Sequence, residues 1–238
     1  MVRNAITNKG EFSLLVLCDG MGGLSKGEVA SASLIQAFSK WFEIELPKLV
    51  QEDDDSDFLK KTVEAQWDEM IHTMNDKIAN YGLSLSIQLG TTATAMLILP
   101  DFSYLIGHVG DTRVYKISDS DIEQLTVDQT FVAREVREGR MTRDEALHHP
   151  KRNMLLQCVG ASKSINIEYR YGYAKKGEIY MLCCDGFRHV VSDVEFYEML
   201  KPKKIKDKEM AKQSLVNLVE INKTRGEQDN ITAMLVKL

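Results

Sequence analysis

The sequence predicts an α+β fold in which helices cover mainly antiparallel sheets, on three observations. Short apolar runs of strand length are closed by acidic turns: Phe12 to Cys18 ends at Asp19-Gly20, and Glu178 to Cys184 ends at Asp185-Gly186. Two stretches of helical periodicity follow one another directly, Gly27 to Ile44 and a second marked by Val63, Trp67, Met70, Met74 and Ile78. From Gly90 onward several strands succeed one another with no helix interposed, so the β-α-β alternation of a parallel sheet is absent. With 238 residues, 44% of them hydrophobic and 27% charged, the chain can bury one large core and is read as one domain.

Taken in order, Ser25 with Glu28 makes a capping box for the first helix, whose Ala30, Leu34, Ala37 and Trp41 recur at helical spacing. Pro47 and the acidic run Glu52 to Asp55 read as a solvated connection to the second helix. Strands are predicted over Thr91 to Leu99, Phe102 to Val109, Arg113 to Ile117 and Ile122 to Leu125, separated by Pro-Asp, Gly-Asp and Ser-Asp turn signals. Thr130 to Glu138 is a helix stopped by Gly139, and Thr142 with Glu145 caps another that ends before Pro150. Further strands are expected at Leu155 to Val159, Asn166 to Tyr171, Glu178 to Cys184 and Ile231 to Leu238, with helices near Ser192 to Leu200 and Asp207 to Asn222. The lysine-rich stretch between those two helices is read as a solvated connection, and Trp41, Phe42 and Trp67 as core.

Composition excludes several functional classes. A net charge of −5 is the wrong sign for a general binder of nucleic acid. No apolar run approaches the roughly 20 residues that span a bilayer, and no signal-peptide layout opens the chain. Cys18, Cys158, Cys183 and Cys184 sit inside apolar stretches without zinc or disulfide spacing, which fits buried thiols in a reducing cytoplasm. Adjacent His148 and His149 point in different directions on a helix and read as an exposed helix end. The segment GMGGLSKGE lacks the residue order of a phosphate loop.

The chemistry concentrates in aspartates at strand ends. Asp19 and Asp185 end the two apolar runs, Asp111 follows the strand of GHVGDTR, and Asp229 precedes the last strand in GEQDN. An isolated Asp-Gly is usually a plain turn. Four such carboxylates brought together repel one another unless a hard divalent cation compensates, and oxygen donors suit Mg²⁺ or Mn²⁺. Two such ions can polarise a phosphoryl group and activate water for in-line attack.

The motifs DGMGG with KGEVAS (Asp19 to Ser31), GTTATA (Gly90 to Ala95), GHVGDTRVY (Gly107 to Tyr115), LTVDQT (Leu125 to Thr130), CCDG (Cys183 to Gly186) and DNIT (Asp229 to Thr232) resemble, in this order, those of the type-2C metal-dependent protein phosphatases. The resemblance implies a four-layer α-β-β-α sandwich and hydrolysis of phosphoserine and phosphothreonine in proteins by metal-activated water, with no protein nucleophile. It implies that Asp19 bridges two ions, that Gly20 adds its carbonyl, and that Asp185 and Asp229 hold the first ion. Asp111, with Asp185 shared, would bind a third, weaker ion, and Asn230 would be a structural neighbour. Residues 126–153 match the family's flap beside the active site. Substrates would be phosphoproteins of a serine/threonine kinase, in the cytoplasm.

Three positions depart from the family. A motif of the form R-x-x-N-E/Q-D, which supplies the second ion's acidic ligand and a phosphate-gripping arginine, does not precede the first strand; Arg3 and Asn4 are poor substitutes. This predicts a chain truncated at its amino-terminal strand, with the second ion weakly held. Gln129 stands where many members have histidine, and Met21 removes the histidine that eukaryotic relatives offer as a general acid. The alternative expectation, motivated by the absent first motif, is a catalytically silent domain that binds phosphoproteins or partners.

Overall fold

The apolar run before Asp19 becomes the second strand of a sheet in a computed structural model that describes residues 1–21, 26–52 and 55–238. The elements run β1 (Val2–Thr7), β2 (Gly10–Leu17), β3 (Gly20–Met21), α1 (Gly27–Ile44), α2 (Leu46–Glu52), α3 (Ser56–Ser84), β4 (Gly90–Thr91), β5 (Ala93–Ile98), β6 (Ser103–Val109), β7 (Arg113–Ile117) and β8 (Ile122–Gln124). They continue with α4 (Phe131–Arg137), α5 (Arg143–His148), β9 (Glu168–Tyr173), β10 (Ile179–Cys183), α6 (Asp185–Arg188), α7 (Asp193–Leu200), α8 (Lys208–Thr224) and β11 (Ala233–Lys237). These residues divide into two compact units, Met1–Asp111 with Val127–Gly172, and Thr112–Thr126 with Tyr173–Leu238.

The first unit carries a sheet of order β1-β2-β5-β6-β9 and the short pair β3-β4. β1 and β2 form a hairpin in which Val2 faces Leu15 and Thr7 faces Gly10. No strand is expected over residues 2–7 from the sequence, since Val2 and Ile6 stay exposed and no buried alternation marks the segment. Its register is set by backbone pairing, extended to the amino-terminal ammonium, which donates to the Val16 carbonyl at 2.7 Å.

Against this sheet lies one apolar stripe of α1, namely Ala30, Leu34, Phe38 and Trp41, joined by Phe42. Phe38 takes the core position assigned from the sequence to Ala37. From α3 come Leu59, Val63, Trp67, Ile71 and Ile78. Trp67 is fully buried and meets Phe38 and Trp41 edge to face, each with ring centroids 5.4 Å apart. The Ser25 member of the expected capping box lies outside the described residues, and the N-cap position of α1 is Lys26.

Two expectations are corrected. The segment around Pro47 is the helix α2, not a solvated connection: Leu46, Leu49 and Val50 are buried at helical spacing, and Pro47 falls in the first turn, where its missing N–H costs nothing. Leu155 to Val159 is not a strand. Its ends bridge to different partners, Leu155 to Thr130 and Val159 to Thr91, so no ladder can form. This stretch is tied down by Asn75 of α3, whose Oδ1 accepts from Gly160 N at 2.8 Å and whose Nδ2 donates to the Ser162 carbonyl.

The second unit carries a sheet of order β11-β10-β7-β8, antiparallel throughout, with Ile179 of the buried β10 opposite both Lys237 and Ile117. Helix α7 opens on the capping box of Ser192 and Glu195 and sends Phe196 between Tyr115, at 6.0 Å, and Phe187, stacked at 5.4 Å. The α7–α8 connection is held by Lys237, which donates to the carbonyls of Pro202 and Ile205. Among the described residues no helix is long and apolar enough to cross a membrane.

Trp67→Ala should destabilise the chain by about 3–5 kcal/mol, the usual cost of an aromatic-sized cavity, read as a fall in the urea midpoint. His108 of β6 adds a pH dependence. It is fully buried, its Nε2 donates to the Val127 carbonyl and its Nδ1 accepts from Thr94. Burial pushes its pKa down, opposed only in part by Glu168 and Asp128. The unfolded chain therefore takes up the proton first, so stability should fall as pH drops below about 6.5 toward the lowered folded value and stay flat above it. Urea midpoints between pH 7.5 and 5.5 should show this slope, and it should shrink in His108→Gln.

Candidate metal centre

In the first unit Asp19 lies one residue beyond Cys18, after β2, and its backbone is clamped by the threonines of the GTTATA motif. Asp19 N donates to Thr92 Oγ1 at 2.8 Å, while its carbonyl accepts from Thr92 N at 2.8 Å and from Thr91 Oγ1 at 3.0 Å. Gly20 then pairs with Thr91 and Met21 with Gly90 as β3-β4. A Cβ at Gly20 would sit 2.2 Å from the Gly27 carbonyl oxygen, and one at Gly27 would sit 2.7 Å from Gly20, so the acidic turn can lie against the start of α1 only with glycine on both sides. Burial pushes the neighbouring Cys18 thiol up to about 12, leaving it an inert apolar filler.

Asp111 is 7% exposed and follows Gly110, whose φ of +112° favours glycine. Gly110 packs on the Thr92 methyl and donates its N–H to Gln129 Oε1 at 2.7 Å. Gln129 N returns a bond to the Gly110 carbonyl, and Gln157 Nε2 reaches the same Oε1 at 2.8 Å. Thr92 thus stands between the turns bearing Asp19 and Asp111. Gln129, in the place of the family's histidine, joins the first residues of the flap-like segment to the Asp111 turn. Beyond it α4 and α5 form as expected, with Thr130 as N-cap, Gly139 at φ +72° and the Thr142–Glu145 capping box; His148 ends α5, exposed.

In the second unit Asp185 opens α6 directly after β10. A Cβ at Gly186 would lie 2.4 Å from the Asn230 carbonyl oxygen and 3.1 Å from Asp229 Cβ, so the turns of Asp185 and Asp229 touch through a glycine. Cys184 latches them: its N donates to the Thr232 carbonyl, its Sγ receives Thr232 N at 3.1 Å, and its thiol donates to the Asn230 carbonyl at 3.1 Å. Asn230 N closes the turn on Asp229 Oδ1 at 2.7 Å. The turns that carry Asp185 and Asp229 approach in one unit, Asp229 is exposed, and carboxylate oxygens are the donor type that suits a hard divalent cation.

Two further residues of this region, His189 and Glu227, are singled out by no motif in the sequence. His189 lies four residues after Asp185, with Nε2 3.5 Å from Asp185 Oδ2 and Nδ1 3.2 Å from Glu227 Oε2. Glu227 receives the N–H groups of Gln228 and Asp229 on Oε1, each at 2.9 Å. Burial opposes its charge, but those N–H groups and His189 outweigh it and hold Glu227 below the usual carboxylate range. The available signal was the i, i+4 spacing of Asp185 and His189 on a helical turn. In the first unit Arg3 donates to Ser39 Oγ at 3.1 Å, near Glu43, and β1 carries no carboxylate.

A family match described as protein phosphatase 2C spans residues 3–236. The serine/threonine phosphatase stp of Listeria monocytogenes is 28% identical over 230 residues, covering 97% of this chain and 86% of that protein. Serine/threonine protein phosphatase PstP of Mycobacterium tuberculosis is 32% identical over 224 residues, covering 93% of this chain and 40% of that one. The structure of the catalytic domain of serine threonine protein phosphatase PstP in complex with two manganese ions aligns with a TM-score of 0.72 at 29% identity, covering 99% of this chain and 95% of that domain. The α+β architecture with antiparallel sheets agrees with that solved relative, and the chain belongs to the protein phosphatase 2C family.

Proposed function

We propose that this chain removes phosphate from phosphoserine and phosphothreonine in proteins, at a centre that holds two Mg²⁺ or Mn²⁺ ions. Asp19 with the Gly20 carbonyl would serve both ions, Asp185 and Asp229 the first, and Asp111 with Asp185 a third, weaker one. The observation that carries this reading is the glycine-mediated contact of the Asp185 and Asp229 turns, which sets two strand-end aspartates on adjoining backbone, where oxygen donors can serve a hard divalent cation. The family's named members are serine/threonine phosphatases, and the PstP catalytic domain binds two manganese ions.

When bound, the ions supply positive charge to the developing negative charge on the phosphoryl oxygens and lower the pKa of water. The protein's own part is positional. Thr91 and Thr92 hold the Asp19 backbone, Cys184 holds the Asp229 turn, and neither unit has to reorganise as charge develops. Met21 is exposed and has no proton to give, so solvent or another group would protonate the leaving serine oxygen. The substrates would be targets of a serine/threonine kinase acting in the same, cytoplasmic, compartment.

One observation favours a second reading, a silent phosphoprotein-binding domain: β1 lacks a carboxylate and its Arg3 is engaged with α1. Phosphate release from a phosphothreonine peptide decides between them. With Mn²⁺ present, turnover is expected and should vanish with chelator and fall at least about 100-fold in Asp185→Asn; peptide binding without turnover, indifferent to Mn²⁺, would establish the silent domain instead. Thr92→Val leaves the Asp19 N–H without its hydroxyl acceptor, at about 1–3 kcal/mol. It should lower the urea midpoint and turnover together, and Thr92→Ser should restore both.

A further inference from the structure

Beside the Asp19 turn the first unit carries a pocket of about 420 Å³, lined in part by Met21, Leu89, Gly90, Leu156, Cys158 and Ala161. Among the described residues no charged side chain lines it. Leu89 and Cys158 are buried and give it an apolar interior, whereas Met21 and Leu156 are 40% and 38% exposed and form an apolar mouth. The volume lies at the low end of ligand pockets, which run from about 300 to 1,000 Å³, and leaves room for one large side chain.

The pocket is built by the backbone around the Asp19 turn. One wall is the β3-β4 pair, in which Met21 faces Gly90. The other is the stretch 155–162, joined to the first where Thr91 and Val159 exchange both backbone hydrogen bonds at 2.9 Å. A Cβ at Gly90 would lie 3.0 Å from Cys158 Sγ and 3.3 Å from Ala161 Cβ, so the glycine leaves space that any other residue would occupy. Gly160, at φ +101°, gives its N–H to Asn75, and Cys158 N donates to Ser162 Oγ at 3.0 Å. The Gln157 amide is held by Asn166 and Gln129. These polar groups are engaged within the unit, and the surface left for a ligand is apolar.

Met21 lies two residues beyond Asp19, and consecutive Cα atoms are about 3.8 Å apart, so the mouth begins within about 8 Å of the Asp19 Cα. An extended peptide advances about 3.3 Å per residue. A phosphoresidue presented at Asp19 therefore has neighbours one or two positions away at the pocket. We propose that the pocket receives an apolar side chain one or two positions from the phosphoserine or phosphothreonine, and that Met21, Leu156 and Ala161 set this preference. The proposal rests on the phosphatase reading, which brings the phosphoresidue to Asp19. Burial of a leucine-sized side chain favours binding, whereas a carboxylate or ammonium there loses its water and finds no charged partner. The unbranched thioether of Met21 adapts to aliphatic and aromatic side chains of different shape. The substrates are thus phosphoprotein segments with a large apolar residue beside the phosphoresidue, and segments with acidic neighbours are rejected.

Phosphothreonine peptides that carry leucine, alanine or glutamate in turn at each of the two positions on either side of the phosphoresidue test this, with Mn²⁺ present. At one of these positions leucine should give a kcat/KM at least about 10-fold above that of glutamate. The difference should lie in KM, because the pocket stands off the reacting atoms. Ala161→Leu fills the pocket and Leu156→Glu charges its mouth. Each should largely abolish the preference, while p-nitrophenyl phosphate, which has no neighbouring residues, is hydrolysed at the wild-type rate. Equal kcat/KM for leucine and glutamate at all four positions, or a preference that survives both variants, overturns the proposal and leaves the phosphatase reading standing. Failure to turn over any of the peptides overturns both readings. The wild-type comparison decides even if a variant fails to fold.

Discussion

The acidic turns depend on backbone approaches that only glycine permits. Gly20 against Gly27 brings the Asp19 turn onto the first residues of α1, and Gly186 against Asn230 brings the Asp185 turn onto that of Asp229. Any Cβ at these positions would meet backbone rather than a movable side chain, so the obstacle could not be relieved by a rotamer change. A carboxylate carried on a strand end is useful only if the strand end is held, and the glycines are what allow it to be held by another backbone.

Side chains complete what the ladders leave open. Where β2 ends, Thr91 and Thr92 take over the pairing of the Asp19 backbone, and where β10 ends, Cys184 does the same for the segment after Asp229. In the first case the same threonine also packs against Gly110, so the positions of Asp19 and Asp111 are correlated through one small residue. These bonds are individually modest, but each satisfies a backbone group that would otherwise be left unpaired at a strand terminus. Rigidity of this kind is what an electrostatic catalyst requires, because donors that are already placed need no reorganisation as charge develops.

The departures from the family's sequence have local structural accounts. Gln129 replaces a histidine and uses both ends of its amide, accepting from Gly110 and Gln157 and donating toward the His108 carbonyl at 3.4 Å, so a neutral side chain does the tethering. Met21 sits exposed in the β3-β4 pair and contributes no titratable group. β1 is a well-paired edge strand whose Thr7 hydroxyl closes the hairpin on the Gly10 carbonyl and whose Arg3 reaches Ser39 of α1.

Much of the fold was legible because it rests on local chemistry. The bounds of α1, the capping box at Thr142, the helix near Ser192 and the strand β7 follow from periodicity and hydrogen-bonding residues a few positions apart. Periodicity could not find α2, whose single apolar cluster is shorter than the pattern that identifies a helix, nor could it show that Leu155 and Val159 pair with different partners. The aspartates were visible as candidates, since an acidic residue closing an apolar run needs no tertiary information. Thr92, Cys184, Gln129, Glu227 and His189 were not, because what each does depends on atoms brought within about 3 Å from remote points in the chain or, for His189, on which way one helical turn faces. The sequence by itself determined the strand-end carboxylates and the longer helices, through spacing and capping residues. Only the tertiary structure decided which backbones touch and which ring nitrogen faces which oxygen, because those contacts arise from packing and not from order along the chain.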